Sequence, residues 1–114
     1  MLQPINLVAL DGYDISTTGF QTEPFCVYEA ELVSIQVIVQ GGTAPTGVFT
    51  LQVSSEAYFP VQFFQVPCES VSINDNCIIL WDLSNVTWNW AQLSYERTSG
   101  TGEAIVIFNK KVRY

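Results

Sequence analysis

The stretch VSIQVIVQ at residues 33–40 carries the clearest structural pattern in this 114-residue chain. Apolar residues stand at every second position from Val33 to Val39, and the positions between them are polar except at Ile38. Because successive side chains of an extended strand point to opposite faces, this period of two predicts a β-strand with one buried face. A helix would need apolar residues at every third or fourth position, and no ten-residue stretch of the chain has that spacing.

The same alternation recurs at residues 49–54, 91–96 and 104–108. Glycine and proline punctuate the connection at residues 41–47, and two glycines lie in the connection at 97–102. Alternating strands joined by such turn residues are typical of hairpins. The sequence therefore predicts one hairpin from the first two strands and a second from the last two.

The last of these strands is apolar on both faces. Ala104, Val106 and Phe108 alternate with Ile105 and Ile107. A strand of this composition is central in its sheet or covered on both sides.

Weaker patterns fill in the rest of the chain. Further strands are predicted at residues 5–10, 26–32, 61–66 and 77–81, with a polar separation at 69–76 and a turn or short helical corner at 82–85. About eight strands predict an all-β fold, a two-sheet antiparallel β-sandwich of jelly-roll type, in a single domain over residues 1–114. The residues predicted to be buried in its core are Ile35, Val37, Leu51, Val53, Leu93, Tyr95 and Val106.

Composition restricts the classes of function. The chain is 48% hydrophobic and only 13% charged, which excludes a disordered protein and predicts a surface suited to packing against neighbours. Residues 1–96 carry ten acids and no base, whereas the remainder carries four bases and one acid. An acidic body repels nucleic acid and anionic membranes, so neither is an expected partner. The basic tail with Lys110, Lys111 and Arg113 either neutralises its own domain or docks on an acidic neighbouring subunit.

The cysteines and the first residues point to a cytoplasmic origin. No stretch reaches the ~18 apolar residues that cross a bilayer, and the first residues lack the pattern of a secretory leader. Three cysteines are present, Cys26, Cys68 and Cys77, and their spacing matches no zinc motif. Cys68 and Cys77 could flank a hairpin and form a bridge, but a cytoplasmic origin favours free thiols.

Catalytic chemistry finds little support in the sequence. Histidine is absent, which excludes Ser–His and Cys–His nucleophile pairs. The carboxylate pairs are Asp11 with Asp14, which reads as a turn, and Glu29 with Glu31, which would share one exposed strand face. Neither these acids nor residues 74–76 match a calcium loop. We therefore expect no enzymatic activity, no metal and no cofactor.

The tryptophans are the remaining candidates for a site. Trp81, Trp88 and Trp90 fall within ten residues. Such rings fill the core of a small sandwich, anchor a subunit interface, or stack against a sugar. Together with Lys110, Lys111 and Arg113, they are the predicted interface residues.

Two blocks of sequence resemble a pattern found in small bacteriophage proteins. The first runs from residue 33 through the Gly-Gly-Thr loop to Ser54. The second contains Leu-Trp-Asp-Leu at 80–83 and then WAQLSYERTSGTG at 90–102. The chain departs from the pattern at residues 55–58, where Ser-Glu-Ala-Tyr stands in place of an Asn-Asp followed by a Trp.

This resemblance implies a β-sandwich protein of the phage particle, with no catalytic residues to carry over. The expected function is that of a non-enzymatic virion structural protein, such as a capsid decoration, minor capsid or vertex component. Its expected partners are other virion proteins and copies of itself, in a virion assembled in the host cytoplasm. Two alternatives remain open: a module on the virion surface that binds a host receptor or glycan, and a small hydrolase that uses carboxylates.

Overall fold

A computed structural model of the protein describes residues 2–57, 64–84 and 86–113, and it describes side chains within 5–57, 70–84 and 86–112. The described residues form nine β-strands and no helix. The strands are β1 (Leu2–Asp14), β2 (Phe20–Gln21), β3 (Phe25–Cys26), β4 (Ala30–Gln40), β5 (Thr46–Ser54), β6 (Phe64–Ile73), β7 (Cys77–Ser84), β8 (Trp90–Ser99) and β9 (Glu103–Arg113).

The strands form two antiparallel sheets. The four-stranded sheet has the order β1-β9-β4-β7, and the five-stranded sheet has the order β2-β8-β5-β6, with β3 also paired to β8. The short strands β2 and β3 pair with successive segments of β8. The pairs β1–β9, β2/β3–β8, β4–β7 and β5–β6 are therefore nested, which is the arrangement of a jelly roll. This confirms the predicted all-β sandwich and the central position of β9.

Both predicted hairpins are wrong, because their strands lie in different sheets. Strand β4 pairs with β7 and β9, whereas β5 pairs with β6 and β8. The connections β4–β5 and β8–β9 are therefore crossovers between the sheets. Alternation identifies the buried face of each strand, but it does not identify the partner, since the inner faces of both sheets turn towards one core.

The two crossovers pack against each other at one end of the sandwich. The Thr101 amide donates a hydrogen bond to the Thr43 carbonyl (3.1 Å), and the Thr43 amide donates one to Thr101 Oγ1 (2.9 Å). A Cβ on Gly42 would lie 1.8 Å from the Thr101 carbonyl oxygen, and one on Gly100 would lie 2.1 Å from that of Ala44. Glycine is required at both positions because backbone approaches backbone.

The core lies between the two sheets. Of the seven residues predicted to be buried, six are buried, and Val53 is half-buried near the end of β5 while still packing against the core. Phe49 and Tyr95 lie side by side with ring centroids 4.5 Å apart, and Phe25 stacks on Phe108 at 5.1 Å. Aromatic pairs of this kind add about 0.5–1.5 kcal/mol to the burial of the rings.

Several predicted boundaries are also corrected. The predicted strand at 26–32 is interrupted, because the chain turns at Glu29 (φ 63°) and the Ala30 amide donates a hydrogen bond to the Val27 carbonyl. Glu29 and Glu31 therefore do not share one strand face. The predicted turn at residues 11–14 belongs to β1, which accommodates Gly12 (φ 72°) as an irregularity in its pairing with β9.

Two further segments are longer strands than the sequence predicted. Residues 69–73 complete β6, so that only 74–76 turn, and residues 82–84 extend β7. The side chains at 77–84 alternate between half-buried and exposed, and β7 pairs with β4 along its whole length. The predicted strand at 61–66 is described only from residue 64, and residue 85 of the predicted corner lies outside the described residues.

Candidate interaction surface

The outer face of the four-stranded sheet carries a group of apolar side chains in two adjacent rows, which we call the apolar band. In the register of the sheet, Ile38 lies opposite both Ile78 and Ile105. In the adjacent row, Ile107 lies opposite Val8 on one side and opposite Gln36 on the other, and Gln36 in turn lies opposite Leu80 on β7. The band consists of Val8, Ile38, Ile78, Leu80, Ile105 and Ile107, and it crosses all four strands.

The band faces away from the core. Ile38, Ile105 and Ile107 occupy strand positions between buried residues of β4 and β9, and Ile78 and Leu80 alternate on β7 with residues that pack against the core. Ile78 is 67% exposed, Leu80 57% and Val8 54%, and the other three members are half-buried by their neighbours. Single exposed apolar residues are common, but a contiguous exposed patch is typical of a contact surface.

Polar and charged side chains border the band at both ends. At one end, Asn109 lies opposite Asn6, donating a hydrogen bond to its Oδ1, and opposite Ser34 on the other side. Asp82 continues this row on β7, and Lys111 lies one row further out on β9. At the other end, Glu103 is exposed on β9 opposite Gln40. An apolar centre within a polar rim is the usual composition of a protein–protein interface.

The outer face of the five-stranded sheet differs in chemistry, because amides and hydroxyls dominate it. Gln52 Oε1 accepts hydrogen bonds from the side-chain amides of Gln92 (2.8 Å) and Gln21 (3.2 Å). The hydroxyls of Thr50 and Ser70 lie 3.4 Å apart on the same face. The apolar character is therefore a property of one sheet, and it does not follow from the high hydrophobic content alone.

The three predicted tryptophans do not form one cluster. Trp81 lies on β7 of the four-stranded sheet and Trp88 precedes β8, and both are half-buried against the core. Trp90 begins β8 in the other sheet, opposite Ser54 and Cys26. The packing of Trp81 and Trp88 corresponds to the core interpretation of these rings, and contact of any of the three with a partner stays a prediction.

The basic residues of β9 are divided between inside and outside. Lys110 Nζ donates a hydrogen bond to the Cys26 carbonyl (2.8 Å) and lies 5.5 Å from the centroid of the Phe25 ring. Its ammonium is thus used within the domain, as a hydrogen-bond donor and in a cation–π contact. Lys111 is exposed at the end of the band. Arg113 ends β9, and its side chain lies outside the described residues.

Sequence reasoning missed three members of the band, Val8, Ile78 and Leu80. The run CIILW at 77–81 is apolar at every position, and that pattern already indicated a strand with an apolar outer face. Val8 could not be assigned to a face from the sequence, because β1 contains irregularities in its pairing at Val8–Leu10 and Leu10–Tyr13.

Local contacts shift the pKa values of the side chains of Asp14 and Cys77. The hydrogen bonds that Ser16 donates from its side chain and its backbone lower the pKa of the Asp14 carboxyl. Burial, followed by the nearby negative charge of Asp75, raises the pKa of the Cys77 thiol. Cys26 and Cys77 are free thiols, and Cys68 has its side chain outside the described residues.

Two features are absent from the part of the chain that the structure describes, a cluster of metal ligands and a membrane-spanning helix. No three acidic, cysteine or histidine side chains lie close enough together to hold a metal ion. No helix is long and apolar enough to cross a membrane.

Known proteins resemble this chain in fold and not in sequence. No protein-family model matches the chain, and no curated protein matches it in sequence. The SPBc2 prophage-derived protein YomS shares its fold with a TM-score of 0.60 at 12% identity, over 97% of this chain and 95% of that one. A chain in the structure of infectious bursal disease virus Gx strain matches with a TM-score of 0.61 at 10% identity, over 97% of this chain and 32% of the viral one. The protein thus has a β-sandwich fold that is also present in a prophage-derived protein and in part of a viral protein.

Proposed function

We propose that the protein is a non-enzymatic structural component of a bacteriophage virion that acts through protein–protein contacts. A capsid decoration, minor capsid or vertex subunit fits this description. The observation that carries the proposal is the apolar band, which is exposed on a regular sheet face and bordered by polar residues.

Burial of the band would supply the affinity of such a contact. Removing apolar surface from water contributes roughly 25 cal/mol per Å², and Ile78, Leu80 and Val8 each offer more than half of their surface. Contacts repeated over a particle need only modest individual affinity, because each subunit that is already held raises the effective concentration of the next contact.

The phage setting is supported from two directions. The blocks at residues 33–54 and 80–102 resemble small phage proteins in sequence, and the fold resembles that of a prophage-derived protein. The absence of histidine supports a protein without a Ser–His or Cys–His nucleophile pair.

The proposal is tested by mass spectrometry of particles purified on a density gradient from the phage that encodes the chain. We expect its peptides to co-migrate with the major capsid protein, in tens of copies or more per particle. The control is the host lysate from the same infection. A chain that is abundant in the lysate and absent from the particle fractions contradicts the proposal.

A second candidate function is binding of a host-surface glycan by the outer face of the five-stranded sheet. Amide and hydroxyl groups at Gln21, Thr50 and Ser70 offer hydrogen bonds there, and Trp90 lies at one end. Gln92, in contrast, is only 5% exposed and therefore presents little of its surface to a glycan. A glycan array tests this candidate: binding that is lost in Trp90→Ala and kept in Ile78→Lys would favour it over subunit contact.

A further inference from the structure

We infer that the apolar band is the interface with a second copy of this chain, in which two four-stranded sheets stack face to face with their β9 strands antiparallel. This inference rests on the proposed function and deepens it by naming the partner and the geometry of the contact. It is carried by the distribution of charge along β9 together with the position of the band between the charges.

The outer side of β9 has opposite charges at its two ends. Lys111 and Glu103 are both exposed on this side, and the apolar residues Ile105 and Ile107 lie between them. A two-fold axis that lies between the stacked sheets, runs perpendicular to the strands and passes over β9 between Ile105 and Ile107 reverses the strand in the second copy. Each residue of one end then faces the opposite end of the other copy, as an isologous interface requires.

This axis brings apolar residues together on β7 and β9, places Gln36 of one copy opposite Ile38 of the other, and brings unlike charges near each other at the ends. The row that contains Ile107 and Leu80 faces the row that contains Ile105 and Ile78 in the second copy. Glu103 then lies opposite Asn109 of the second copy, with Lys111 of that copy one pleat further along. Two residues of strand span roughly 7 Å, a distance that extended lysine and glutamate side chains cover. Two Lys111–Glu103 pairs form for each dimer.

The area of the face indicates a weak dimer. The rows from Glu103 to Asn109, which face each other across this axis, measure roughly 20 Å along the strands and roughly 19 Å across four of them, so the dimer would bury ~800 Å² in total. Stable interfaces usually bury about 1,200–2,000 Å², and weak ones less. We therefore expect the isolated dimer to have a dissociation constant in the micromolar range or higher. A larger fraction of the chain should be dimeric where many copies are held close together.

Sedimentation velocity over a concentration series of the full chain tests this geometry through a charge exchange. We expect Lys111→Glu and Glu103→Lys each to weaken dimerisation at least about fivefold, because each variant places like charges together at two symmetric sites. The double variant restores the opposite-charge pairs, so its dissociation constant should return to within about twofold of the original. Ile78→Lys places a charge at the most exposed member of the band and should leave only monomer.

Glu96→Lys is the matched control, because Glu96 is exposed on the outer face of the other sheet and its reversal should leave dimerisation unchanged. Urea unfolding of each variant, at a concentration where the original chain is monomeric, checks that its fold is intact.

Three results would overturn the inference: a chain that remains monomeric at millimolar concentration, a dimer that Ile78→Lys does not affect, or a double charge variant as weak as the single ones. A monomeric chain that is nevertheless found in particles would refute the inference and leave the proposed function standing, with the band contacting a different virion protein. A charge-sensitive dimer that is absent from particles would support this interface and refute the proposed function.

Discussion

At the scale of single residues, leucine has opposite roles on the inner and the outer faces of the two sheets. Leu93 is fully buried in β8, whereas Leu80 on β7 is 57% exposed within the apolar band. Truncating Leu93 removes contacts and leaves a cavity, while truncating Leu80 removes only exposed surface from the isolated chain.

We therefore expect Leu93→Ala to lower the free energy of unfolding by about 2–5 kcal/mol and Leu80→Ala by less than about 0.5 kcal/mol. Urea unfolding of both variants at low protein concentration measures the difference. A cost below about 1 kcal/mol for Leu93→Ala would mean that the register of β8 is wrong.

The thiols give a second prediction at this scale. In protein prepared from a reducing cytoplasm, where thiols stay reduced, alkylation of the unfolded chain without prior reduction should label Cys26, Cys68 and Cys77. The structure has Cys26 and Cys77 free, and Cys68 stays a prediction. Mass spectrometry that finds an unlabelled Cys68–Cys77 pair in protein from a reducing cytoplasm would refute it.

The reactivity of Cys77 in the folded protein should depend on pH in a defined direction. Its pKa is raised, first by burial and then by Asp75, so less of the reactive thiolate is present at pH 8 than in the unfolded chain. We expect slow alkylation that accelerates as the pH rises towards the raised pKa, and a faster rate at pH 8 in Asp75→Asn, which removes the smaller cause. Asp82→Asn is the control and should leave the rate unchanged. A folded protein that reacts faster than the unfolded chain contradicts this assignment.

At the scale of elements, the two crossovers explain which part of the fold could be predicted. The alternation at residues 33–40 and 49–54 identified both strands and nearly all of their buried positions, since the pattern reflects one strand meeting one core. The sheet to which each strand belongs depends on contacts between distant strands, such as β4 with β9, and no local pattern records them. The interruption of the predicted strand at 26–32 was missed because it lies at Glu29, which adopts a positive φ. Glycine or asparagine is more usual in that conformation, so a glutamate gives no sign of it.

The candidate surface was predictable to the same extent. The outward positions of Ile38, Ile105 and Ile107 follow from alternation alone. These residues lie beside Ile78 and Val8 only because the strand order is β1-β9-β4-β7, and this order could not be predicted from the sequence.

Adjacent glycines in the first crossover offer a matched test of the packed corner. A Cβ at Gly42 would collide with the Thr101 carbonyl oxygen at 1.8 Å, whereas a Cβ at Gly41 meets nothing within 4 Å and is disfavoured only by its φ of 71°. We expect Gly41→Ala to cost about 1–2 kcal/mol in urea unfolding, and Gly42→Ala to cost at least about 3 kcal/mol because two backbones must separate. Equal costs at the two positions would mean that the crossovers do not pack together.

At the scale of the whole molecule, the two sheets give the sandwich two chemically different outer faces. One is apolar at its centre with Lys111 and Glu103 at its ends, and the other is a network of amides and hydroxyls. An acidic body with one exposed lysine beside an apolar patch favours a specific orientation of a neighbour, in which burial provides affinity and charge provides direction.

The content of secondary structure is a direct check on the whole fold. We expect a far-ultraviolet circular dichroism spectrum dominated by β-sheet, because the described residues contain nine strands and no helix. A helical content above about a fifth, against the roughly 30–35% of an average globular protein, would contradict the sandwich.

The most direct test of a virion subunit that acts through the apolar band is carboxyl footprinting of purified particles by mass spectrometry. Asp82 and Glu103 border the band, and Glu96 lies on the opposite outer face as an internal reference. We predict that Asp82 and Glu103 are protected from labelling in the particle relative to the isolated monomer, while Glu96 is labelled more strongly than either. Labelling of Asp82 and Glu103 at the monomer's rate in particles that contain the chain would contradict the assignment of this face.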